Sequence, residues 1–534
     1  MFFCVSVTGA LILSLFFAWL PLDKLEGLSS LGVGPLVDDS YIYFNISKNI
    51  AGFFSGSLPS LQLSSGFSPL IALLFAPCFY LFESQKELPI HFALSLNAIL
   101  AFFANILLYG LLRKIVSRAS ALFLVSIWIW SPYVINQSIN GMDTSSAILL
   151  LMIILGYYLR INHLSRPVLR SWFLLGAFLG LGFWARTDLG FLGIVIVLDQ
   201  AWLSLKEDWH QRFLRLRAVF LCGLFALLIA SPWMLLTFTG TGHIIPISGR
   251  TVHQITSIQF DYSHPNHPGF LFLMLKKAKI ILSTCQPFAA LSRNGAWQMF
   301  VSGLSLIGLV FAVRNRQQRL FLRPLLIFPA FIFAAYVMYV GGWWYLQRYL
   351  YPVCTLMLFL HAATLKYIET RFKMRPWLLT AILFLLCIPY VISYTQQYRS
   401  LLSKNQEPRF LSGALFAGSH IPPKASVGSF QSGCLSYWLD NQVINLDGVI
   451  NHEAYLHVKN KTLGSYLAEQ QIDYLVEEKR RFKMWDTYLD GQLSSQYTLV
   501  AQKKRDFKSR YMGKQIVVGD WVIYKRKSGK IALR

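Results

Sequence analysis

Residues 37–50 read VDDSYIYFNISKNI, and the adjacent Asp38 and Asp39 are the first side chains placed to do chemistry. Ile42, Ile46 and Ile50 recur every four residues, which predicts a helix with one apolar stripe lying on a membrane surface, with both carboxylates at its N-terminus. Capping explains one of them, because the unpaired N–H groups and the dipole of a helix start favour negative charge. A second adjacent acid raises the proton affinity of the pair, which suits a general base or a metal site and is otherwise unfavourable. Farther along, Arg186 stands in ARTD between two apolar runs. A guanidinium at that depth needs a partner, either an internal pair with Asp188 or a functional anion.

The elements that position these groups are membrane helices. The chain has 534 residues, 55% of them hydrophobic and 14% charged. Apolar runs at 2–20, 90–112, 119–135, 144–159, 217–238, 297–313, 324–342, 349–365 and 377–394 have the length of bilayer spans. They are expected to be α-helical, because lipid offers no partner to an open sheet edge. The region 171–205, interrupted only by ARTD, reads as two short helices joined by a polar turn. The net charge of +24 is concentrated in five short loops, Arg113–Arg118, Arg160–Arg170, Lys206–Arg217, Arg314–Arg323 and Lys366–Arg375. That is the positive-inside pattern, and it argues against a nucleic-acid groove.

With these loops in the cytoplasm, the loop 21–66, SPYVINQSINGMDT, ARTD, 239–296, GGWWYLQRYLYP and everything after 395 fall on the outer side. Parity makes 67–82, with Pro69 and Pro77, a re-entrant or juxtamembrane helix. It gives about eleven crossings, up to thirteen if 67–82 and 271–290 also cross, with the N-terminus inside. The expected address is the cytoplasmic membrane, with an uncleaved first helix, because PLDKLEGL offers no cleavage site. Residues 1–394 are thus read as a membrane module. Residues 395–534 form a linker and an extracytoplasmic soluble domain of α/β or α+β type, with short strands in SVGSF, QVINLDGVI, DYLVEE, YTLVAQ and KQIVVGDWVIYKR and a helix at 454–470.

Other chemistries lack their motifs. The sequence holds no phosphate-binding G-x-x-x-x-G-K-[ST] loop, no C-x-x-C or H-E-x-x-H spacing and no G-x-S-x-G elbow. His243, His253, His264 and His267 share one loop at spacings that match no strong metal motif, and Cys434 is alone in the outer soluble part.

DDSYIYFNISKNIA followed by SSGFSPLIALLFAP resembles the DDAYI-type signature of bacterial GT-C glycosyltransferases, in particular the terminal arabinofuranosyltransferases of the mycobacterial envelope. NGMDTSSAILLL is similar to a small-G-[LM]-E-T element, with Asp143 where the family has Glu. GFWARTDLGFL, GTGHIIPISGRTVH, WWYLQRYLYPV and VINLDGVIN resemble further elements in the same order along the chain. The stretch after Ala51 is shorter and less Gly-rich than is usual in the family.

The resemblance implies transfer of a sugar, with arabinofuranose as the example, from a polyprenyl-phosphate donor to a hydroxyl of an envelope glycan or glycolipid, outside the cytoplasmic membrane. It gives Asp38 the role of base and Asp39 that of helper, cap or ligand of a divalent cation. Arg186, Arg250, Arg348 and His243 are implied donor-phosphate ligands, because a leaving phosphate needs cations to hold its growing charge. Tyr41, Lys48, Asp143, Asp188, Ser248, Trp344 and Tyr345 are implied substrate contacts. Trp343 and Trp344 read first as anchors of an interfacial aromatic belt and second as sugar platforms, and Lys276, Lys277 and Lys279 as phosphate ligands or as a sign of different topology there. An oligosaccharide-lipid ligase or polymerase, a lipid or glycan transporter and a non-catalytic envelope-assembly protein are the alternative classes.

Overall fold

The computed structural model describes the chain apart from residues 1, 28–34, 56–65, 163–167, 264–273, 276–277, 280, 283–294, 339–345, 404–407, 490–491, 505–507, 512–513, 518–519 and 528–534. The apolar runs are helices. Five of those described are long and apolar enough to cross a membrane: Leu88–Leu112, Thr144–Ile161, Thr187–Ser204, Trp209–Thr241 and Tyr351–Arg371. A sixth candidate is the pair Arg118–Ile129 and Pro132–Ser138, bent by 69°. Pro132 explains the bend, since its ring has no N–H to donate and pushes Ser131 out of helical conformation. Phe2–Ala18, Pro69–Leu81, Leu169–Ala185, Val301–Arg314, Leu322–Met338 and Pro376–Leu385 are shorter apolar helices. The protein is a multi-pass membrane protein.

The ARTD turn separates Leu169–Ala185 from a single 3-10 turn, Thr187–Leu189, that runs into Gly190–Ser204. Residues 69–81 form one helix with Pro77 inside it, packed on the helix Asp38–Ser55.

The C-terminal part is built on a five-stranded sheet of order β2-β1-β3-β7-β4. Its strands are β1 (Val427–Ser429), β2 (Val443–Asn445), β3 (Tyr474–Glu478), β4 (Tyr497–Lys503) and β7 (Trp521–Arg526), while β5 (Lys508–Tyr511) and β6 (Lys514–Val517) form a separate hairpin. β1 runs parallel to β2 and β3, and β7 antiparallel to β3 and β4. The helix expected over 454–470 is two helices, His452–Asn460 and Leu463–Glu469. Lys461 ends the first in the left-handed conformation, at φ 58°.

The sheet does not hang free of the membrane part. One apolar core runs from Phe17 and Leu25 through Tyr41, Phe44 and Phe75 to Leu435, Tyr437, Val476 and Trp521. Each large side chain buried in it contributes roughly 1.5–3 kcal/mol. The helix Asp38–Ser55 is therefore sandwiched between membrane helices and the C-terminal sheet layer.

Candidate functional site

The helix Asp38–Ser55 turns by about 100° per residue, so adjacent acids at its start look in different directions. Asp38, Ile42 and Asn45 share the face toward the C-terminal helix Ser432–Trp438. There the Asp38 carboxylate accepts the backbone N–H of Gly433 at 3.1 Å and of Cys434 at 2.9 Å, and Asn45 Nδ2 donates to the Gly433 carbonyl at 2.9 Å. The approach is so close that a side chain at residue 433 would collide with the Asp38 carbonyl. Asp38 thus caps a helix nearly four hundred residues away. Burial, assisted by the neighbouring Asp39 charge, lifts its carboxyl to about 7 although both N–H bonds pull the other way. Glu26 does the same one step earlier. It accepts the N–H groups of Phe410 and Leu411 and the hydroxyl of Tyr41, and burial lifts it to about 7.

Asp39 and Tyr43, four residues apart, face the membrane helices. Arg348 Nη1 lies 3.4 Å from Asp39 Oδ2, and Nη2 lies 3.1 Å from Asp143 Oδ1 and 3.4 Å from the Tyr43 hydroxyl. Asp143 is completed by Tyr43 at 3.2 Å and Ser68 at 2.7 Å. Arg186 joins from the ARTD turn. It donates to the backbone carbonyls of Arg348 at 3.3 Å and Tyr349 at 3.1 Å and pairs with Asp188, which Tyr336 also approaches at 3.5 Å. Two guanidinium groups and three carboxylates, brought from four separate stretches of chain, share one buried cluster. Asp39 keeps 29% of its side chain exposed, against 6% for Asp143 and 9% for Arg348.

The implied contacts divide accordingly. Asp39, Asp143, Arg186, Asp188 and Arg348 come together, and Asp38 stands beside them with its oxygens turned away. Arg250 is exposed and bonded to His243 Nε2 at 2.9 Å, so two of the three arginines converge and the third is held elsewhere. Tyr41 is buried on Glu26, away from Asp39. Lys48 is exposed over the Tyr437 ring, and Ser248 is half-buried in the helix Ile247–Ser263. Trp343, Trp344, Tyr345, Lys276 and Lys277 lie outside the described residues; Lys279 is exposed.

Among the described residues no group of three His, Cys, Asp or Glu side chains is placed to hold a metal ion. The donor set agrees, because Asp38 is turned onto backbone N–H groups and Asp39 onto a guanidinium. The divalent cation raised from the sequence therefore finds no fitting set of ligands among the described residues. The sequence reading passed over Tyr43, Ser68 and Glu26. Tyr43 was within reach of it, since it follows Asp39 at the i,i+4 spacing of one helix face.

Residues 67–235 match the family model of dolichyl-phosphate-mannose-protein mannosyltransferases, and residues 391–523 match a domain of unknown function. No curated protein sequence matches. Among solved structures, ArnT from Cupriavidus metallidurans bound to undecaprenyl phosphate is similar over 98% of this chain and 97% of its own, at 14% identity and a TM-score of 0.56. The oligosaccharyltransferase of Archaeoglobus fulgidus tethered with an acceptor peptide is similar over 93% of this chain and 73% of its own, at 12% identity and a TM-score of 0.55. At these identities the likeness is one of fold.

Proposed function

We propose that this chain, a glycosyltransferase of the GT-C superfamily, moves a sugar from a polyprenyl-phosphate donor to a hydroxyl of a cell-envelope glycan or glycolipid at the outer face of the cytoplasmic membrane, with a pentofuranose such as arabinofuranose as the sugar. The observation that carries the reading is the pairing of a part-exposed Asp39 with a buried Arg348, itself braced by Asp143, between the membrane helices and the C-terminal sheet.

In the proposed step, the acceptor hydroxyl oxygen attacks the anomeric carbon and the bond from that carbon to the phosphate oxygen breaks. Asp39 takes the hydroxyl proton, and the polyprenyl phosphate leaves with the bonding electrons. The growing negative charge falls to Arg348, with Arg186 behind it, because a guanidinium stays charged at any working pH and meets phosphate oxygens in a fork. Asp143, with Tyr43 and Ser68, holds Arg348 in place. Asp38 is assigned to docking the C-terminal part, because both of its oxygens face backbone N–H groups. The base role expected for Asp38 passes to its neighbour.

Two things support a lipid-linked donor: the family-model match over 67–235, and the fold shared with a protein solved with undecaprenyl phosphate. The test uses purified full-length protein, radiolabelled polyprenyl-phosphate sugars from the source cells, and envelope glycan from cells lacking the chain. Label passing from lipid to glycan is the expected result. Label remaining in the lipid, with folded protein present, would overturn the reading.

A further inference from the structure

The VINLDGVIN stretch and the sheet it enters take no part in the step above, yet they lie against the site. β1, β2 and β3 are parallel, so their carboxyl ends share one edge. In α/β sheets that edge is where side chains from successive strands converge on a ligand. Here it carries Gln431 just after β1, Asp447 just after β2, and Arg481 three residues after the end of β3.

The loop after β2 is fixed from both sides. Gly448 has a φ of 84°, a conformation that favours glycine, and its carbonyl accepts the Thr251 hydroxyl at 3.1 Å from the helix Ile247–Ser263. Next to it, the Val449 carbonyl presses on Gly66, where an added Cβ would come within 1.9 Å. Gly66 is two residues from Ser68, which bonds Asp143. The loop is thus clamped onto the segment that builds the membrane-side cluster, and Asp447 is near enough to Asp39 for their charges to interact.

The side chains at this edge are not consumed by the fold. Gln431 is 6% exposed, and its Oε1 is buried with no hydrogen-bond partner among the described residues. Such an orphaned amide oxygen is unfavourable by about 1–3 kcal/mol unless something fills it. Arg481 is half-buried and within electrostatic range of Asp447 and Glu477, but it makes no hydrogen bond or ion pair among the described residues. Asp447 accepts the backbone N–H of Val449 at 2.9 Å and a hydrogen bond from the Asn445 side chain, and its two oxygens have lone pairs for more. An amide oxygen, a carboxylate and a guanidinium, all planar and gathered at the carboxyl edge of one sheet, suit neighbouring hydroxyls of a sugar ring, each of which both donates and accepts.

We infer that the carboxyl edge of the β2-β1-β3 sheet is the acceptor-recognition site, with Gln431, Asp447 and Arg481 binding the hydroxyls of the acceptor sugar and setting which hydroxyl is presented to Asp39. This rests on the glycosyl-transfer reading. The acceptor is assigned here, and the donor is not, because the phosphate of a lipid-linked donor belongs with Arg348 and Arg186 on the membrane side, while the sheet closes the opposite wall. No reaction step is added; these residues position the acceptor and select it.

The test measures label transfer from the same lipid fraction over a range of acceptor-glycan concentrations and, separately, of donor concentrations. Asp447→Asn and Arg481→Gln should each raise the acceptor concentration needed for half-maximal rate about tenfold, the scale of losing a hydrogen bond to a charged group, and leave the donor dependence in place. Arg481 is half-buried, so its variant stays interpretable if Asp447→Asn folds poorly, as thermal unfolding would reveal. Unchanged acceptor dependence in Arg481→Gln and in folded Asp447→Asn would overturn the inference while the transfer reading stands. A donor-side shift of the same size would overturn it by assigning the edge to the donor. Absence of transfer by the unaltered protein would remove the transfer reading and this inference together.

Discussion

Two buried polar networks stand at opposite ends of the helical bundle, built from the same residue types. At the end that bears the arginine-rich loops, Asp199 accepts the Tyr158 hydroxyl and pairs with Arg323. Gln200 donates to Tyr158 and, at 2.8 Å, to Asn162, while Arg215 donates to Gln200 at 2.8 Å and forks onto Glu207. These contacts tie together Thr144–Ile161, Gly190–Ser204, Trp209–Thr241 and Arg316–Met338. At the other end, Arg348 meets Asp39, Tyr43 and Asp143 at 3.1 to 3.4 Å. Asp199 has no exposed side-chain surface, whereas Asp39 keeps 29%. Buried charge is common to both ends and marks neither as a site. What separates them is distance: Glu207, 25% exposed, is held by Arg215 Nε at 2.8 and 3.0 Å, whereas the open Asp39 lies 3.4 Å from Arg348, a spacing that an incoming group can tighten. The first network is a brace between helices, and the second is the one proposed to carry the transfer.

Substitutions at the two ends should therefore fail in different ways. The largest expected effect is on Arg348. Arg348→Gln should lower sugar transfer about a hundredfold to a thousandfold, the usual scale for losing one charge-stabilising donor. Arg348→Lys should recover little of it, because an ammonium cannot reach Asp39, Asp143 and a phosphate together. Transfer by Arg348→Lys close to that of the unaltered protein would blur the distinction between the two ends.

Asp199→Asn should act on stability. Leaving Arg323 without its carboxylate is expected to be unfavourable by about 3 kcal/mol, seen as a lower unfolding temperature in detergent, while the molecules that remain folded transfer sugar normally. A turnover defect at full stability would give the brace a functional role.

A smaller effect is expected at the docking contacts. Asp38→Asn puts an amide N–H against a backbone N–H and should loosen the C-terminal part by roughly 1–3 kcal/mol, read as faster proteolysis in the 395–426 region. The smallest effect is on pH dependence. Burial raises the carboxyls of Asp38 and Glu26 from 3.8 and 4.5 to about 7 in the docked form. Docking is therefore favoured most below pH 4, where both are protonated in either state, and this contribution is lost as the pH rises through 7. The unfolding temperature should fall by a few degrees over that window, and the Asp38→Asn, Glu26→Gln double variant should lose that slope.

The sequence made the helices legible because lipid imposes a strict rule on them: every backbone group is satisfied within the segment, so composition and length suffice. The strands of the C-terminal part were readable for a similar reason, as short β-branched runs between turns. Asp38 was read as a base or a local cap because its true partners, Gly433 and Cys434, lie in a segment that no local pattern connects to it. Arg348 was singled out as an outer cation, yet its division between Asp143 and Asp39 depends on how three distant segments meet. Arg250 looked equivalent to it in charge and expected side, and packing alone separates the two. Asp39 and Tyr43 could have been told apart from Asp38 by helical phase, given knowledge of which face met the membrane helices.

The assignment of Asp39 as the base is tested most directly by the transfer rate per folded molecule of Asp39→Asn and Asp38→Asn, measured side by side with saturating donor and acceptor. The expected result is a loss of about a hundredfold to ten-thousandfold for Asp39→Asn, the range for removing a general base, with its unfolding temperature close to that of the unaltered protein. Asp38→Asn should keep most of its turnover once corrected for folded protein. The reverse order, with Asp38→Asn inactive and Asp39→Asn turning over normally, would contradict the account.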